Sequence, residues 1–229
     1  MVSSHQIDDS ILNKLKLDAI PQTTRKAFLM CAQNLFFAKN NWYLAGGTAL
    51  ALQAGHRKSV DLDFFTSDKT FDIGKAEVTL STIGPWETTS TSEGTLYGEL
   101  GGAKMSLIAY PSFHIEKPLL KAGALSIITP PDIAAMKVIA VSQRGKKRDF
   151  FDLYWISLNI QPLFESIEAA QKQYAVRHNP THILKSLVYF EDADNDPEPE
   201  IYFKADWQKV KTFFEREIPI ITKRIVGLD

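Results

Sequence analysis

Only one cysteine, Cys31, occurs in the 229 residues, so no disulfide can form within the chain. No apolar run approaches the length of a membrane span, and no cationic start followed by an apolar stretch marks a signal peptide. These absences predict a cytoplasmic protein without a membrane partner. An excess of positive charge is missing as well: 26 Lys and Arg face 27 Asp and Glu, for a formal net charge of -1. A dedicated nucleic-acid wrapper is thereby disfavoured, because phosphate backbones are held mainly by clustered Lys and Arg. There is no Gly-Lys-Ser/Thr phosphate loop and no serine-hydrolase elbow. Among five histidines, His178 and His182 have helical i, i+4 spacing, but Pro180 between them argues against a metal pair. No internal repeat is present.

What is there is an ordinary globular composition, 45% hydrophobic and 23% charged, with length for one large or two small cores. Residues 1–40 read as a helical lead-in. Two helices are expected over 8–39, the first carrying Ile11, Leu12 and Leu15, the second starting after Pro21 and burying Phe28, Leu29, Leu35 and Phe36. Residues 41–128 turn to short β-rich runs broken by Gly, Pro and Ser, which predicts a small mixed sheet with one early helix. Within it, 95–100 and 103–110 flank Gly101-Gly102, and two residues free to take positive φ suit a primed hairpin turn. Residues 129–229 read as a helical C-terminal region. One helix starts at Pro130-Pro131-Asp132, another runs through 150–158, and a last one covers about 206–224. The basic run Arg144, Lys146, Lys147 and Arg148 reads as a solvated turn between helices. The acidic, proline-containing stretch 191–200 reads as an exposed loop.

Chemistry concentrates in Tyr43-Leu44-Ala45-Gly46-Gly47-Thr48 and, after residues 48–60, in Asp61-Leu62-Asp63-Phe64. An apolar strand that ends in two glycines and enters a helix leaves unpaired N–H groups at the helix start, and glycine lets a phosphate approach them. Over 60–65 the two-residue period of a strand puts Asp61 and Asp63 on one face, with Ser59, while Val60, Leu62 and Phe64 point to the core. Two carboxylates on one face repel unless a cation sits between them, which suits Mg²⁺ (or Mn²⁺) carrying nucleotide phosphates. Taken singly, a glycine pair is usually a turn and Asp-x-Asp a wet strand face.

Together they resemble the signature of the nucleotidyltransferase (polymerase β-like) superfamily. With Gly55-His56-Arg57-Lys58-Ser59, Lys137 and Arg148-Asp149-Phe150-Phe151-Asp152-Leu153 included, the pattern resembles the AbiEii/AbiGii family of nucleotidyltransferase toxins over roughly residues 40–155. The resemblance implies an α+β fold in which helices flank a mixed β-sheet core. It implies a toxin–antitoxin or phage-defence effector that moves a nucleotide from an NTP to an acceptor, such as an RNA (tRNA among them) or a protein, with a cognate antitoxin as partner. By position it assigns phosphate binding to Gly46, Gly47 and Lys137, the metal to Asp61 and Asp63, and a polar contact in the site to Asp149.

Residue chemistry adds to the phosphate site Thr48 at the helix start, Ser59, and Arg57, whose guanidinium can meet phosphate bidentately or pair with a carboxylate. Lys137 lies beside the expected packed stripe Ile133, Met136 and Ala140, where it is either a solvated helix lysine or a phosphate contact. Asp149 and Asp152, three apart, share a helix face; Asp149 also suits an ion pair with Arg148 or another nearby cation. The superfamily's third strand carboxylate has no counterpart in 103–110, where Lys104, Ser106, Ile108 and Tyr110 face outward. Glu99, one strand earlier, is the nearest candidate for that role, the alternative being a solvent-facing hairpin glutamate. Two alternatives to a toxin transferase therefore stand: a nucleotide-binding module with a degenerate site, and a small-molecule nucleotidyltransferase of the antibiotic-modifying kind.

Overall fold

The computed structural model describes residue 11 and residues 13–226. They form two compact units, Met1–Thr129 and Pro130–Asp229.

The first unit is built on a seven-stranded mixed sheet of order β3-β4-β5-β2-β1-β7-β6. Its strands are β1 (Tyr43–Ala45), β2 (Leu62–Thr66), β3 (Trp86–Ser92), β4 (Thr95–Leu100), β5 (Ala103–Ala109), β6 (Leu120–Ala122) and β7 (Leu125–Ile127). β4 and β5 form the expected hairpin, and both link residues have positive φ, Gly101 at 57° and Gly102 at 79°. At the sheet centre β2 pairs antiparallel with β1 and parallel with β5, so Asp63 stands opposite Ala45 on one side and Ser106 on the other.

Helix α1 (Gln22–Ala32) stops short of the expected end, because Asn34 accepts a hydrogen bond from the Phe36 N–H at 2.9 Å and caps a new helix, α2 (Leu35–Lys39). The restart changes the helical phase. Phe37 rather than Phe36 is fully buried, its ring 4.6 Å from that of Phe64, and Leu29 and Leu35 are half-buried. Of the earlier expected helix, residues 8–10 and 12 lie outside the described residues; residues 13–20 are not an α-helix but a turn followed by a 3₁₀ turn, Leu17–Ala19.

Helix α3 (Gly46–Ala54) is apolar all round, with Ala49, Leu50, Ala51 and Leu52 fully buried, so its first turn is fixed against the sheet. Helix α4 (Ile73–Ile83) starts on the Asp72 side chain, which accepts from the Lys75 N–H. Val60 departs from the expected core assignment: it is 45% exposed, because β2 begins only at Leu62 and the alternation of buried positions starts there.

In the second unit α5 (Pro130–Arg144), α6 (Lys147–Asn159) and α7 (Leu163–Gln173) pack together, followed by α8 (Pro180–Ser186), the single turn α9 (Glu191–Asp194) and α10 (Trp207–Val226). Phe150, Phe151, Phe190, Trp207 and Phe214 form an aromatic core. Two expectations change here. On α5 the buried set is Asp132, Ile133, Ala134, Ala135, Lys137, Val138, Ile139 and Val141, while Met136 and Ala140 are only half-buried; the helix is enclosed by neighbours rather than presenting one stripe. The basic run is not merely solvated, since Lys147 is 4% exposed and its backbone N–H donates to Asp196 at 2.9 Å. That contact also orders the acidic stretch, whose Ala193 is buried and whose Asp194 receives Trp207 Nε1 at 2.6 Å. Local composition reads such acids as loop; pairing with three lysines and an indole across the chain overrides it.

Among the described residues no helix is long and apolar enough to cross a membrane.

Candidate active site

The first unit brings Gly46, Gly47, Thr48, Arg57, Ser59, Asp61 and Asp63 to the junction of β1, α3 and β2. Gly46 takes φ +71°, a conformation that L side chains rarely adopt, and the position of an added Cβ lies 3.2 Å from Asp63 Oδ2. At Gly47 an added Cβ would meet Arg57 Nη2 at 2.3 Å, so the missing side chain is what lets the guanidinium lie over the start of α3. Arg57 is nearly buried and also donates from Nη1 to the Lys58 carbonyl at 2.8 Å.

Thr48 ties the two halves of the motif together. Its hydroxyl contacts the Asp61 carbonyl and lies 2.9 Å from Ser59 Oγ. A carbonyl only accepts, so Thr48 donates its single proton there and takes the proton of Ser59. The helix start and the residue preceding β2 are thereby locked to each other.

Asp61 and Asp63 line one cavity of about 530 Å³, together with Tyr97, Glu99, Lys104 and Ser106. Ser106 Oγ donates to Asp63 Oδ1 at 2.6 Å, a charge-assisted bond that orients the carboxylate. Ser106 occupies the β5 position paired with Asp63, and it is the contact that residue reasoning missed. The period of two on 103–110 puts Ser106 on an outward face, but Ser106 is buried, because its hydroxyl is turned onto Asp63.

Among the described residues no group of three or more His, Cys, Asp or Glu is assembled for a metal ion. Mg²⁺ does not require one, because it keeps several waters and is commonly held by one or two carboxylates plus substrate phosphates. Two aspartates on one cavity wall, one of them already oriented, are a donor set that fits this mode.

Lys137 and Asp149 lie in the second unit. Lys137 is 4% exposed, and its ammonium sits 2.5 Å from Asp149 Oδ1 and 2.7 Å from Asp152 Oδ2. Arg144 Nε adds a bond to Asp149 Oδ2 at 3.0 Å. Two cations thus balance two fully buried carboxylates. Lys137 is therefore not a solvated helix lysine, and Asp149 pairs with Lys137 and Arg144. Asp152, noted in the sequence only for sharing Asp149's face, is the other half of this cluster.

A mixed sheet with a Gly-Gly helix start beside two aspartates, one just before the neighbouring strand and one on it, is the architecture of a nucleotidyltransferase. In fold the chain is similar to MenT4, a nucleotidyltransferase toxin of Mycobacterium tuberculosis H37Rv, with a TM-score of 0.52 at 12% identity over 93% of this chain and 89% of that one. The chain belongs to the AbiEii family, nucleotidyl transferase toxins of type IV toxin–antitoxin systems, which it matches over residues 28–88 and 106–223. It is also 35% identical over 181 residues to an uncharacterized protein of Aquifex aeolicus (strain VF5), covering 78% of this chain and 87% of the other. Its enzyme class is accordingly nucleotidyltransferase.

Proposed function

We propose that the chain transfers a nucleoside monophosphate from an NTP to an acceptor hydroxyl, with Mg²⁺ or Mn²⁺, as the toxin of a toxin–antitoxin pair in a reducing cytosol. The observation that carries this reading is the shared cavity of Asp61 and Asp63, with Asp63 held between Gly46 and Ser106. Asp61 and Asp63 would hold the metal. That ion would neutralise charge on the phosphates and polarise the α-phosphoryl group.

The chain's own groups do the remaining work. The first N–H groups of α3 at Gly46, Gly47 and Thr48 bind phosphate oxygens, favoured by the helix dipole. Arg57 adds a fixed positive charge over the same turn, and Ser59 holds Thr48 in place. Glu99, in the same cavity, is assigned to take the proton of the acceptor hydroxyl. The hydroxyl oxygen bonds to the α-phosphorus, the bond from that phosphorus to the β-bridging oxygen breaks, and pyrophosphate leaves. Because phosphoryl-type transfer depends mostly on positioning and charge neutralisation, a hydroxyl at Ser106 in place of a third acid is compatible with turnover.

Lys137 and Asp149 lie in the second unit, paired with each other; a phosphate role for Lys137, with Asp149 as its polar neighbour, comes from the family resemblance rather than from this cavity. The acceptor is a cellular RNA or protein, and a cognate antitoxin and a role in phage defence come from the family rather than from the site.

The test is incorporation of label from each α-labelled NTP into total RNA and protein with Mg²⁺ present. Label is expected with the native chain and lost in Asp61→Asn. Label retained in both Asp61→Asn and Asp63→Asn overturns the site.

A further inference from the structure

The cavity wall contributed by β4 contains an aromatic ring, Tyr97, with no stacking partner among the described residues. Pairing runs from Asp63 on β2 to Ser106 on β5, to Tyr97 on β4 and to Ser90 on β3, and residues paired across a sheet share a face. Tyr97 is therefore two strands from Asp63, roughly 9–10 Å along the sheet. Its neighbours in the strand, Leu96 and Gly98, are buried on the opposite face, while Tyr97 is 44% exposed and lines the cavity.

The other six tyrosines are all engaged. Tyr43 and Tyr110 lie against Phe65, Tyr154 against Phe203 and Tyr174 against His178, and the hydroxyls of Tyr189 and Tyr202 donate to Glu191 and Glu200. A tyrosine kept bare in the cavity that holds the aspartate pair is out of keeping with that pattern. Beside it, Lys104 and Glu99 form a cross-strand pair on the same wall, one a donor and one an acceptor. Residues 89–105, which carry this wall, fall between the two stretches that match the family, so it is a feature of this chain that the family match does not supply.

We propose that Tyr97 is the platform on which a nucleobase stacks during transfer, with Lys104 at the edge of that base. This rests on the nucleotidyltransfer reading and assigns the residue that holds the substrate's base. In either reactant, the NTP or an RNA end, a ribose separates the reacting phosphorus or hydroxyl from the base, and a ring one short span from the aspartate pair meets that geometry. A cavity of about 530 Å³ is within the range that accepts a nucleoside.

The experiment uses the full chain, with Mg²⁺, the four NTPs and a short single-stranded RNA, and compares the native protein with Tyr97→Ala and Tyr97→Phe. Loss of one stacked base is expected to raise a KM by roughly 5- to 100-fold in Tyr97→Ala, with a smaller change in kcat, and Tyr97→Phe to restore it. A raised KM for the NTP identifies the nucleotide's base on the ring, and a raised KM for the RNA identifies the acceptor's. Equal KM values for both substrates in native protein and Tyr97→Ala overturn the platform while leaving the transferase standing. If the native chain transfers to nothing, the dissociation constants of the four NTPs decide: weakening in Tyr97→Ala with recovery in Tyr97→Phe supports the platform, and no change in any of the four rejects it.

Discussion

Ser106 Oγ donates to Asp63 Oδ1 at 2.6 Å from the adjacent parallel strand, at the register position directly paired with that aspartate. A hydroxyl thus holds one of the two acids that face the cavity. Ser106→Ala should keep the fold, cost about 1–2 kcal/mol in urea melts, and lower kcat more than it changes the KM for NTP. Ser106→Asp should put like charges side by side, lowering the melting temperature in EDTA and recovering it on addition of Mg²⁺. A melting temperature of Ser106→Asp indifferent to Mg²⁺ would count against a cation at this pair.

Gly46 and Gly47 make different demands. Gly46→Ala forces a side chain into φ +71° beside Asp63 Oδ2, and should destabilise by about 1–3 kcal/mol. Gly47→Ala has no such backbone strain but displaces Arg57 Nη2, so its larger effect should be on NTP affinity. Equal NTP dissociation constants for native protein and Gly47→Ala would remove Arg57 from the phosphate site.

The Lys137 cluster predicts strong coupling. Lys137→Met leaves Asp149 and Asp152 buried without the ammonium that pairs with both, and should cost about 3–5 kcal/mol in denaturant unfolding. Adding Asp149→Asn and Asp152→Asn to that variant should recover much of the loss, because the uncompensated charges are gone. If the triple variant is no more stable than Lys137→Met, charge balance is not what the lysine supplies.

Acid should release the segment around 191–200. The Trp207 indole N–H and Lys211 hold Asp194 below the usual carboxylate range. For Asp196, desolvation pushes upward but is outweighed by the Lys147 N–H and Lys146, and Asp206 is lowered by the Lys209 backbone and ammonium. A carboxylate depressed in the folded state contributes stability above its unfolded value, about 3.9, and loses it as pH falls through the folded value. Hydrogen exchange at the Lys147 amide should therefore accelerate below about pH 4, relative to the intrinsic rate, and stay protected at neutral pH. The same protection factor at both pH values would contradict these contacts.

The parts of the fold legible in the sequence are those set by neighbours in the chain. Gly101-Gly102 between two alternating runs dictates a hairpin, and an apolar strand entering Gly46-Gly47 dictates a helix start. Sheet order was not legible, since β6 and β7 have only three residues each and are held by pairing with distant strands. Nor was the break at Asn34, where a cap competes with a continuous helical pattern. In the candidate site, a period of two is enough to put Asp61 and Asp63 on one wall. Partners supplied from far along the chain, such as the buried Ser106 to Asp63, leave no local signal beyond a hydroxyl in an alternating run.

The central claim is nucleotidyl transfer at the Asp61/Asp63 pair. Its most direct measurement is pyrophosphate release from NTP by native protein and by Asp63→Asn, with Mg²⁺ and with EDTA, in the presence of total cellular RNA. The account predicts release only from native protein with Mg²⁺, and a melting temperature for Asp63→Asn close to native. Release by Asp63→Asn, or by native protein in EDTA, would contradict it.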